Sequence, residues 1–73
     1  MLKRYIIFVI DLSIDPEIAD QGWKNVLREE GGEIYSTDDR EACLVRAKEE
    51  VDFLMHTQVV DLHTGELIKE VYG

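Results

Sequence analysis

Arg4-Tyr5-Ile6-Ile7-Phe8-Val9-Ile10, closed by Asp11, is the stretch from which the fold follows. Its β-branched and aromatic residues and its length predict a strand. Alternation places Tyr5, Ile7 and Val9 on one face and Ile6, Phe8 and Ile10 on the other. Neither face is polar, which is the mark of a central strand covered on both sides.

Upstream, Met1-Leu2-Lys3-Arg4 followed by this run has the outline of a signal peptide. The apolar run stops at Asp11, short of the ~7–15 residues an h-region needs, and no small-residue cleavage site follows. Nothing approaches the ~18 apolar residues of a membrane span. Cys43 is the only cysteine, so no intramolecular disulfide can form, and a cytoplasmic location is expected.

Downstream, residues 15–32 admit two readings. Asp15 as N-cap, Pro16 at the first helical position, Glu17 in the first turn and Gly31-Gly32 as a stop favour a helix. Ile18, Trp23, Val26 and Leu27 then fall roughly on one stripe. Gly22 opposes this, costing about 1 kcal/mol relative to alanine. The other reading is an edge strand from Trp23 to Leu27, with Trp23, Asn25 and Leu27 on one face. The helix is preferred. Glu33-Ile34-Tyr35-Ser36 follows as a brief strand.

The clearest periodicity predicts a helix over 39–54. Asp38 (or Thr37) is the expected cap, with Glu41 completing a capping box. Cys43, Ala47, Val51 and Leu54 form its apolar stripe beside Leu44, while Arg46, Lys48, Glu49, Glu50 and Asp52 face water. Glu49 and Glu50 also stand within helical ion-pairing distance of Arg46. A hairpin over 57–72 ends the chain, turning at Leu62-His63-Thr64-Gly65, where Gly65 supplies a positive φ. The order β-α-β-α-β-β gives an α+β fold, a small mainly antiparallel sheet packed on the 39–54 helix, in a single domain spanning 1–73.

Sixteen carboxylates oppose eight basic side chains over 73 residues, a net charge of −8 spread along the whole chain. Such a surface repels nucleic acid and anionic membranes, which are bound through Lys and Arg. About 45% of the residues are apolar, enough for a folded domain. Below roughly 70–80 residues one core seldom supplies more than a few kcal/mol, so self-association or docking on a protein is the expected remedy.

The chemistry-bearing residues have ordinary explanations. His56 and His63 are seven apart on a strand and point to opposite faces, and with Cys43 they form no zinc-ligand spacing. Asp11, Ser13 and Asp15 sit where a strand ends and a helix is capped. Cys43 lies on the apolar stripe of its helix, as a core thiol. Tyr35, Trp23 and Tyr72 are core or interface anchors before they are a ligand-stacking cluster. Gly31-Gly32 lacks the partners of a phosphate loop, and the acidic clusters fit no calcium loop. No cofactor or metal site is expected.

These features lead to a non-enzymatic interaction module that self-associates or docks on a protein through an apolar sheet face. If both helices cover one face, the other meets water, and the first strand has no polar side to offer there. The candidate contact residues are Tyr5, Ile7, Val9, Trp23, Tyr35, Val59 and Tyr72. One alternative is a nucleic-acid mimic whose carboxylate rows occupy a basic groove. Another is a small enzyme with an intersubunit pocket using Asp11, Tyr35 or His56.

Overall fold

The structure is a computed structural model and describes residues 2–15, 17 and 24–72. Its elements run β1 (Tyr5–Asp11), β2 (Lys24–Val26), β3 (Ser36–Thr37), α1 (Arg40–Glu50), β4 (Met55–Asp61) and β5 (Leu67–Val71). The class is α+β, with one helix among the described residues against an antiparallel sheet. Strand order is β2-β1-β4-β5, and β3 also pairs with β1, so the apolar first strand is central. Its whole length is paired with β4, from Tyr5↔Asp61 to Asp11↔Met55.

The other side of β1 is lined by a broken strand. Lys24, Asn25 and Val26 lie opposite Ile10, Val9 and Phe8. The Leu27 N–H then donates to the Ile7 carbonyl at 2.8 Å. After an excursion over 28–35, Ser36 and Thr37 lie opposite Ile6 and Tyr5. The excursion is itself a small hairpin: Arg28 bridges Ile34, the Glu29 N–H donates to the Glu33 carbonyl at 2.7 Å, and Gly32 has φ 90°.

The preferred helix over 15–32 is therefore wrong from Lys24 onward, and the edge-strand alternative is what forms. Without β2 and β3, one side of β1 would lose its backbone partners, a cost that outweighs good local caps. Gly31-Gly32 turns a hairpin instead of stopping a helix. Asp15 does accept the Glu17 N–H at 2.9 Å. The part of the prediction covering 16 and 18–23 lies outside the described residues.

The second helix is shorter than expected at both ends. Its cap is Asp39, whose carboxylate accepts the Ala42 N–H, because Asp38 is turned to the Arg4 N–H. It ends at Glu50, with Val51 already extended, since the chain must reverse before Met55 joins β1. Leu54 consequently leaves the apolar stripe and is exposed. Cys43 and Ala47 are fully buried and Leu44 packs beside them, over Tyr5, Ile7, Val9, Leu27 and Val59.

A side chain of β4 closes the lower end of this helix. Ala47 carries its carbonyl in the last turn of the helix. The fully buried Thr57 hydroxyl donates to it at 2.9 Å. Thr57→Val keeps the volume and removes this buried bond, so a loss of about 1 kcal/mol is expected in urea unfolding.

The C-terminal hairpin turns where expected. The Gly65 N–H donates to the Asp61 carbonyl at 2.7 Å, and Gly65 has φ 76°. β5 carries a bulge opposite Val59/Val60, which lets Ile68 as well as Val71 pack on the core. Asp61 is buried at the base of the turn. It accepts two bonds from Arg4 Nε at 3.1 Å, one from Arg4 Nη2 at 2.9 Å and one from the His63 N–H at 2.8 Å. These bonds, Arg4 foremost, lower its pKa to about 2.

Candidate functional site

The helix decides which face of the sheet is covered. It lies on the face that carries Tyr5, Ile7, Val9 and Val59, so these four candidate contact residues form the core beneath α1. The other face carries Ile6, Phe8 and Ile10, together with the cross-strand neighbours Val26, Val60 and Leu67. That face is not the bare apolar surface expected. Ile6 is 5% and Ile10 6% exposed, Phe8, Val26 and Val60 are half-buried, and only Leu67 and Tyr72 stand out into solvent. Trp23 lies outside the described residues.

A polar and aromatic cluster occupies the same face. Register places His56 opposite Ile10, and Gln58 between Phe8 and Glu70. Tyr72 meets the His56 ring edge-on, with centroids 4.9 Å apart. Glu70 accepts a bond from Gln58 Nε2 at 2.9 Å and another from the Tyr72 hydroxyl. The Glu70 carboxylate holds the Tyr72 proton and raises its pKa. The Lys24 ammonium sits 4.9 Å from the centroid of the Phe8 ring. The cluster offers aromatic surface flanked by one cation and one anion.

A groove of about 690 Å3 lies elsewhere, between Leu2-Lys3 and the 28–36 segment. Tyr35 lines it, half-buried, with the Arg46 guanidinium 4.9 Å over its ring. Burial raises the Tyr35 pKa. Arg46 also pairs with Glu29 at 3.1 Å and with Glu50 at 3.5 Å. Asp11, Tyr35 and His56 are not brought together. Asp11 ends β1 with its carboxylate taken by the Ser13 N–H and hydroxyl, while His56 lies on the opposite face. The Ser13 bonds hold the Asp11 pKa below the usual carboxylate range. Among the described residues no group of three or more His, Cys, Asp and Glu could hold a metal ion.

Cys43 is a core group. Its thiol faces the Ile6 carbonyl at 4.0 Å, and burial pushes its pKa up to about 11. A thiol so placed reacts only when the fold opens. The expected result with a colourless disulfide reagent at pH 8 is no reaction of the native chain, and full reaction in urea. Rapid native labelling would refute this placement.

One apolar surface escaped the sequence. Phe53, Leu54 and Leu12 are 89%, 46% and 53% exposed, and the Leu12 N–H donates to the Leu54 carbonyl at 2.7 Å. Phe53 and Leu54 sit at the junction of α1 and β4, where Asp52 is the only residue of a usual turn type. Their helical spacing masks that signal in the sequence.

No protein-family model matches the chain, and no match was found among curated proteins or among solved structures. No helix among the described residues is long and apolar enough to cross a membrane.

Proposed function

We propose that this chain is a small acidic interaction module, without catalysis of its own, that works in the cytoplasm by docking on a protein. The observation that carries this reading is the set of large apolar side chains left in water once the chain has packed. Leu67 and Tyr72 on the sheet face away from α1, and Phe53 at the end of the helix, are the main ones. Aromatic side chains held outside a small core are typical interface anchors.

The nucleic-acid-mimic alternative draws less support. The carboxylates occupy several sides of the molecule, and Arg46 engages Glu29 and Glu50. The enzyme alternative places an intersubunit pocket at Asp11, Tyr35 or His56, and within one chain these three stand apart, Tyr35 alone lining the groove.

Gel filtration of a fresh extract, followed by sedimentation of the purified chain, tests the docking reading. The chain should migrate in extract well above its 8.5 kDa mass. A chain that remains monomeric in extract and at every purified concentration would overturn it.

A further inference from the structure

On the strength of the docking reading, we propose that the contact surface is the apolar tip of Leu12, Phe53 and Leu54. Its occupant is a protein whose apolar pocket is bordered by lysine or arginine. The tip rests on a tight turn. Asp52 and Met55 exchange both backbone bonds, N–H to carbonyl, at 3.1 and 3.2 Å. Phe53 and Leu54 therefore occupy the two corners, positions that turns usually give to Gly, Asn, Asp or Pro. The Leu54 N–H also donates to the Asp52 carboxylate at 3.0 Å, so the flanking polar residue fixes the turn while the corners stay free. The Leu12–Leu54 backbone bond ties the end of β1 to this turn and so brings the three exposed residues to one end of the sheet.

The charge around the tip identifies the partner. Asp11 and Asp52 flank it, and α1 delivers Glu49 and Glu50 close by. Neither 5–15 nor 49–58, the two described segments that meet there, contains a lysine or arginine. An apolar knob flanked by Asp11, Asp52 and Glu49 is complementary to an apolar pocket with a basic border, and attraction between the rims steers the encounter. A second copy would bring two acidic borders together. An anionic lipid surface would be repelled by the same carboxylates.

The test is an NMR titration of the 15N-labelled chain with a synthetic amphipathic helical peptide of leucine and lysine. Its twin, with glutamate in place of lysine, is titrated in parallel. The expected result is saturable shifts centred on Leu12, Phe53 and Leu54 with the lysine peptide alone, weakening as salt is added. Phe53→Ser should cut the affinity about tenfold or more with an unchanged melting curve, and Val45→Ser on α1 should leave affinity unchanged. Equal binding of both peptides, unchanged affinity in Phe53→Ser, or no saturable binding would overturn the proposal. Concentration-dependent shifts at the tip without peptide would also overturn it by making a second copy the occupant. Shifts centred on Leu67 and Tyr72 would refute the tip and leave the docking reading intact. A chain monomeric in extract and at every purified concentration would defeat the docking reading itself.

Discussion

Ile7→Ala should leave a substantial part of the population unfolded at physiological temperature. Ile7 is completely buried, at the centre of the face where β1, β4 and α1 meet, among Leu27, Cys43, Ala47 and Val59. Deleting three carbons there removes their transfer energy and opens a cavity under the helix. Substitutions of this kind cost about 2–5 kcal/mol. A domain of this length has about 4–11 kcal/mol in total, so one truncation consumes much of it. The urea midpoint should fall steeply while the slope of the transition stays the same, the sign of altered stability without altered compactness. Phe8→Ala, on the half-buried opposite face, should cost less. A Phe8 variant that proved the weaker of the two would mean the main core lies on the other side of the sheet.

Asp61→Asn should produce the second large effect, and one that depends on pH. The Asp61 carboxyl has a folded pKa of about 2, against about 3.9 in an unfolded chain. A lowered pKa means that the native state binds the proton less readily than the unfolded one. The contribution to stability is therefore complete above the unfolded pKa and disappears as the pH falls through about 2. Asparagine keeps the shape and can still accept the His63 N–H, but it loses the charged pairing with Arg4. The gap in urea midpoint between wild type and Asp61→Asn should be wide and flat at neutral pH and close toward the acid end. Arg4→Gln should reproduce the closing with a smaller gap, since the Arg4 side chain remains partly in water. A gap that stayed constant with pH would show the Arg4–Asp61 pair to be of no account.

The legible parts of the fold were those in which local and long-range preferences agree. The run from Tyr5 to Ile10 has only one good conformation, and Gly65 closes the only loop that could join β4 to β5. Residues 24–32 were misread because good helix punctuation competes there with the unpaired edge of β1. That edge is invisible until the sheet is assembled. The end of α1 was misread for a related reason: Leu54 has the right spacing for the stripe, but β4 must begin at Met55. The choice of face was unreadable in principle. Both sides of β1 are equally apolar, and only the placement of α1 makes Ile7 core and Phe8 flank. The apolar tip was hidden by the same helix boundary.

The interrupted strand on one side of β1 also governs how far copies of this protein could polymerise. A filament needs two joinable rims per molecule, one to receive a neighbour and one to pass the pattern on. The hairpin that leaves the sheet at Arg28 and returns at Tyr35 obstructs one of them, so a chain added at β5 meets a dead end. Misassembly through this sheet should therefore halt at a pair of molecules and not propagate into fibres.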